Sequence, residues 1–118
     1  MTGKFAVRAR KGNGYAVLET DLYLNQTAGE ELSKRFNELL EEGYLNFIIN
    51  MERTKVVNSV GISILIEMIE KLRERGGRLI FCNLSNVIDK TFRIMGLTQY
   101  AEVKGSEEEA VASLKEQA

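Results

Sequence analysis

The chain has 118 residues, 44% apolar and 28% charged, with a net charge of -1 at pH 7. That length suggests one domain over residues 1–118, with a core large enough to need no staples, and the charge gives no field to recruit nucleic acid or an anionic membrane. With no histidine and a single cysteine, Cys82, a Ser-His pair, a histidine metal site and an internal disulfide are all excluded.

Residues 5–10 alternate roughly apolar and polar from Phe5 to Arg10 and predict a strand. Gly12-Asn13-Gly14 suits a turn needing positive φ, and residues 15–19 predict a second strand, so the two form an antiparallel hairpin. Residues 20–26 connect, with Leu22 and Leu24 alternating against Asp21, Tyr23 and Asn25 as a short strand extension. A helix starts near Asn25 or Thr27, and Thr27 with Glu30 fits a capping box. Ala28, Leu32, Phe36, Leu39 and Leu40 recur at spacings of three and four as its apolar stripe, and Gly43 ends it.

Phe47-Ile48-Ile49 is short, largely β-branched and apolar on successive residues, as a central strand covered on both faces must be. A junction over residues 54–61 leads into a second helix. Leu65, Met68, Ile69 and Leu72 face inward there, and Ile62, Ile64 and Ile66 widen the apolar face near its start. Deep packing accounts for that width, and a partner contact is the alternative. Gly76-Gly77 closes the helix, and residues 78–82 predict another buried strand that contains Cys82 as an inert thiol. A third helix follows Ser85, with Val87, Ile88, Phe92 and Met95 on one side and Gly96 after it. Residues 100–103 make at most a short edge strand. Ser106 to Glu109 is a capping box for a last helix docked by Ala110, Val111 and Leu114.

This order, β-β-α-β-α-β-α-(β)-α, predicts an α/β fold. An N-terminal β-hairpin precedes alternating β and α elements in a mixed sheet of about four or five strands, with about four helices. Sites in such sheets lie beyond the carboxyl ends of the strands, which is where the 54–61 junction falls. No apolar run approaches the ~18 residues of a membrane span and no signal-peptide core opens the chain, so the protein reads as cytoplasmic.

Phosphate-loop, dinucleotide and zinc signatures are missing from the sequence, so no catalytic residue, metal ligand or cofactor is assigned. Gly12-Asn13-Gly14 lies between strands and is no phosphate loop. Arg8, Arg10 and Lys11, and Arg73, Arg75 and Arg78, read as solvated faces. A small-ligand or nucleotide hydrolase is therefore the weakest functional class. The junction is different. A strand leading into a helix start aims unpaired N–H groups and the positive end of a dipole at one spot, where Ser59 stands. Its hydroxyl can serve as an N-cap, the plainer reading, or can carry a phosphate.

A resemblance bears on that choice. Residues 57–62 (Val57-Asn58-Ser59-Val60-Gly61-Ile62), the helix after them, Gly76-Gly77 and the apolar strand ending in Asn83 together resemble the STAS family of anti-sigma-factor antagonists. The family's usual centre reads Asp-Ser-Ser/Thr-Gly-Leu-Gly. The likeness continues through Ile94-Met95-Gly96-Leu97 and into Ser106 to Ala110, nearly the whole chain. It implies a non-enzymatic switch in partner-switching control of transcription. The partner is an anti-sigma factor that is also a serine kinase, and it phosphorylates the serine here numbered Ser59. The phosphorylated form lets go, and a PP2C-type phosphatase resets it. Asp21, Tyr23, Asn25, Asn58, Ser59, Val60, Gly61 and Ile62 are the partner-binding residues expected on this basis, and a monomer or weak dimer is the expected state. The chain departs from the pattern at Asn58 and Asn25, where the family commonly has Asp, at Val60, and at Ser63 in place of the later glycine. Two consequences stay open: a kinase with other preferences, or a domain that has lost the switch and binds constitutively or as a scaffold.

Overall fold

The computed structural model describes residues 7–115, so Phe5 and Ala6 of the expected first strand lie outside the described residues. Strands β1 (Val7–Lys11) and β2 (Ala16–Thr20) pair antiparallel from Val7 opposite Thr20 to Lys11 opposite Ala16. At the hairpin tip the Gly12 N–H donates to the Tyr15 carbonyl at 2.8 Å. Gly14 takes the left-handed φ of +85°, a conformation glycine adopts without steric cost.

The chain then runs β3 (Tyr23–Leu24), α1 (Gln26–Glu41), β4 (Asn46–Asn50), β5 (Val56–Val57), α2 (Ser59–Glu74) and β6 (Arg78–Cys82). It ends with α3 (Asn86–Ile94), a 3-10 turn (Leu97–Gln99), β7 (Glu102–Lys104) and α4 (Glu107–Lys115). The main sheet is five-stranded, in the order β1-β2-β4-β6-β7. β2, β4, β6 and β7 are parallel neighbours, each joined to the next through a helix, and β1 is the antiparallel edge. The mixed α/β architecture expected from the sequence is present. β3 and β5 form a separate two-stranded parallel ladder.

The successive apolar residues of β4 and β6 are divided between two faces. Leu18, Phe47, Ile49, Leu79 and Phe81 point into the larger core with Leu32 and Phe36 of α1, Leu65, Met68 and Leu72 of α2, and Ile88 and Phe92 of α3. Phe36 packs on Phe47 and Phe81 on Phe92, with ring centroids 4.7 and 4.9 Å apart. Val17, Ile48, Ile80 and Cys82 point the other way and are covered by Ala110, Val111 and Leu114 of α4. Burial pushes the Cys82 thiol up to about 12, so it stays protonated and inert.

Three local expectations are corrected. Helix α1 is capped by Asn25, whose Oδ1 accepts the Ala28 N–H at 3.1 Å; the Thr27–Glu30 box does not form because Thr27 is already inside the helix. On α3, Ile88 and Phe92 are buried, but Val87 and Met95 are 73% and 54% exposed. At 100° per residue, Val87 stands a full step off the line that Ile88 and Phe92 define. The edge strand begins at Glu102, since Tyr100 ends the 3-10 turn and faces out. The wide apolar start of α2 is mostly packed. Ile62 is buried, and Ile64 seats on Gly29 of α1, where an added Cβ would lie 2.5 Å from the Ile64 Cδ1. Ile66 lines an open groove of about 170 Å³ with Met95 and Tyr100. The two basic clusters are largely engaged: Arg10 pairs with Glu19 and Glu107, Lys11 with Glu42 and Arg78 with Glu102, while Arg73 stacks on Tyr100 at 3.9 Å.

Candidate functional site

Beyond the carboxyl ends of β2 and β4 the chain makes two parallel excursions that meet. Tyr23 lies opposite Val56 and Leu24 opposite Val57. The Lys55 and Val56 N–H groups donate to the Leu22 carbonyl at 2.8 and 3.2 Å, and the Asn58 N–H donates to Leu24 at 3.1 Å. One residue beyond the Leu24–Val57 rung, each strand becomes a helix. Asn25 starts α1 and Asn58 starts α2. The ladder thus sets two helix N-termini side by side, each with a partial positive charge. Both are capped by an asparagine, and the Asn58 Oδ1 accepts the Gly61 N–H at 2.9 Å.

Ser59 is therefore not the cap. It is the first residue of α2 and is exposed. With Asn58 filling the capping role, the Ser59 hydroxyl is not needed to hold the helix. Its carbonyl accepts the Ser63 hydroxyl one turn on, at 3.0 Å. Gly61 is where the two excursions touch. A Cβ there would lie 2.5 Å from the Leu24 carbonyl oxygen, so only glycine admits this approach. Asp21 accepts the Leu22 N–H on its Oδ1 at 2.9 Å, which turns the chain out of β2. Underneath, the Thr20 and Thr54 hydroxyls are 2.5 Å apart, and Thr54 donates to the Asp21 carbonyl at 2.8 Å.

The structure brings the expected residues to one place but at different depths. Tyr23, Ser59 and Val60 are exposed; Asp21, Asn25 and Asn58 are half-buried; Gly61 and Ile62 are buried and lie beneath the surface. Sequence reasoning put the 21–24 connection on this surface but did not single out Leu22 or Val56, both exposed apolar residues on the two excursions, at 58% and 51%. The β-branched pair Val56-Val57 was the signal for β5, but two residues carry no period. Among the described residues, no His, Cys, Asp and Glu side chains gather to hold a metal, and no helix is long and apolar enough to cross a membrane.

A mixed sheet with a hairpin edge, and a two-stranded ladder delivering paired asparagine-capped helix starts, define the α/β class of this domain. The chain belongs to the STAS-domain family, whose model matches residues 6–110. It is 24% identical over 92 residues to BtrV of Bordetella bronchiseptica, provisionally assigned as an anti-sigma factor antagonist; the match covers 78% of this chain and 79% of that protein. Among solved structures it superimposes on the anti-sigma factor antagonist SpoIIAA in its unphosphorylated form with a TM-score of 0.78, at 21% identity, covering 93% and 98% of the two chains. The Bacillus cell fate determinant SpoIIAA in its phosphorylated form gives 0.76 at 23% identity, covering 92% and 99%. A serine-to-glutamate variant of Moorella thermoacetica RsbS gives 0.82 at 17% identity, covering 94% and 96%.

Proposed function

We propose that this protein is an anti-sigma-factor antagonist, a cytoplasmic binding module without catalytic activity of its own. It binds an anti-sigma factor that is also a serine kinase and releases it when Ser59 is phosphorylated. A PP2C-type phosphatase restores the binding form. The observation that carries this reading is the position of Ser59: exposed, first in α2, and relieved of capping by Asn58. A phosphate there adds roughly -1.5 to -2 charges at a helix start that tolerates them. Leu22, Tyr23, Val56 and Val60 are exposed around it, beside Asp21 and Lys55. A partner packed on that surface loses several kcal/mol when it meets the new charge, about 100-fold or more in affinity.

The test is intact-mass analysis after incubation with ATP and each serine-kinase anti-sigma factor of the source genome, with Ser59→Ala as control. A single ~80 Da increment on the wild type alone is the expected result, that being the mass of one phosphate monoester. The second reading is a constitutive partner-binding module or scaffold. What favours it is that Asn25 and Asn58 keep the capping bond but present uncharged amides where the family pattern has carboxylates. Retained binding with no increment from any kinase would select that reading.

A further inference from the structure

We propose that Thr54, together with Thr20, is a positioning residue that locks the two halves of the Ser59 surface into one unit. The inference rests on the binding role just proposed for that surface and adds the device that holds it in shape. The surface is assembled from two separate connections, residues 21–25 and residues 54–59. The first carries Tyr23 and Asn25; the second carries Val56, Asn58 and Ser59. Besides the two-rung β3–β5 ladder, backbone bonds from Lys55 and Val56 to Leu22 and from Asn58 to Leu24 close the gap between them. Neither β3 nor β5 exceeds two residues, and their ladder stands outside the five-stranded sheet. A two-stranded ladder of that length does not hold itself together in water.

Thr54 supplies the missing fixture. It is 1% exposed, inside a run that is otherwise charged: Glu52, Arg53 and Lys55. Its single hydroxyl proton goes to the Asp21 carbonyl at 2.8 Å, which leaves its oxygen to accept from the Thr20 hydroxyl. Thr20 is the last residue of β2 and is paired with Val7 in the main sheet. The chain of bonds therefore runs from the rigid sheet, through Thr20 and Thr54, to the backbone of the first connection, and Thr54 itself belongs to the second. Both hydroxyls are buried, so neither bond is replaced by water at no cost when its partner is removed. Removing the Thr54 hydroxyl leaves Asp21 O and Thr20 Oγ1 without it, and the first connection is then fixed to the second only by the short ladder and the packing of Leu24 on Gly61 and Val57.

Thr54→Val keeps the shape and removes the hydroxyl; Thr54→Ser keeps the hydroxyl; Ile48→Val, in the core under α4, is a control for general loss of stability. Amide hydrogen exchange on the free protein reads the coupling without any partner. The expected result is exchange about tenfold faster at Lys55, Val56 and Asn58 in Thr54→Val, the worth of one buried hydrogen bond, with β4 and β6 unchanged and Thr54→Ser close to wild type. Thr20→Val, which keeps the bond to Asp21 but frees Thr54 from the end of β2, is the second variant if Thr54→Val does not fold, and a smaller speed-up at the same amides is expected. Binding to the kinase that modifies the wild type is the second readout, expected to fall about tenfold in Thr54→Val beyond any loss in Ile48→Val. Unchanged exchange at the three amides overturns the proposal. So does faster exchange with full retention of binding, which would make the lock irrelevant to the surface. If no kinase binds the wild type, the functional reading falls, while the exchange result still decides whether Thr54 joins the two connections.

Discussion

At residue scale the informative pair is Asn58 and Ser59, which the structure separates by role. Asn58 accepts the Gly61 N–H and holds the start of α2; Ser59 carries no capping bond. Asn58→Ala is expected to cost about 1 kcal/mol in urea unfolding, the usual worth of a cap. Asn58→Asp is expected to keep that bond and gain a few tenths of a kcal/mol from the helix dipole. Ser59→Asp places its charge in the same favourable first turn, so its thermal midpoint should equal or exceed that of the wild type while its affinity for the anti-sigma kinase falls at least tenfold. Ser59→Ala should bind as the wild type does. A Ser59→Asp variant that loses binding only in step with its stability would remove the charge mechanism. The sequence named both residues but left the cap open at Ser59 as the alternative to a phosphate, because asparagine and serine are comparably good caps and adjacent positions carry no periodic signal to choose between them.

At the scale of elements, the parts written as repeating patterns were legible. The stripe of α1, the inward face of α2 and the doubly covered strands β4 and β6 each rest on several residues that agree. What escaped was short or composite. β5 has two residues, and α3 places Val87 and Met95 outward although they neighbour its buried line. Thr54 is buried between charged neighbours, so nothing local marked it. The close approach at Gly61 belongs to the same class, since it depends on where Leu24 arrives from another part of the chain. Gly61→Ala drives a methyl against the Leu24 carbonyl, which is backbone and cannot rotate aside. The expected cost is about 1–3 kcal/mol. Chemical shifts should change along residues 22–25 as well as at α2, and the amide of Asn58, which bonds to that carbonyl, should lose protection. Shifts confined to α2 would show that the ladder tolerates the methyl.

At the scale of the whole molecule, the two faces of the sheet are held in different ways. The face under α1, α2 and α3 is a continuous apolar core, whereas α4, with Tyr15 beside it, covers Val17, Ile48, Ile80 and Cys82 and fully buries Ala110. Its attachment is supplemented by charge at both ends. The Arg10 guanidinium reaches Glu107 and Glu19, each at 2.7 Å, and Asn50 donates to Glu107 at 3.0 Å. Arg78 bridges Glu102 at 2.7 Å and the Ser113 hydroxyl at 3.0 Å. The Arg10 hydrogen bond, with a smaller contribution from Asn50, holds the Glu107 carboxyl below the usual carboxylate range, and Arg78 does the same for Glu102. A carboxyl depressed in the folded state stabilises the protein above its unfolded value of about 4.3, and that contribution is lost as pH falls through the folded value. Arg10 is half exposed, so solvent screening limits the pair to about 1 kcal/mol or less. Glu107→Gln should therefore unfold more easily than the wild type at pH 7, by a gap that narrows at pH 3, and Cys82 should react faster with a thiol reagent at pH 7 when this clamp is weakened. An equal stability gap at both pH values would show that Glu107 acts through packing and neutral hydrogen bonds, leaving the hold on α4 to Val111, Leu114 and Arg78.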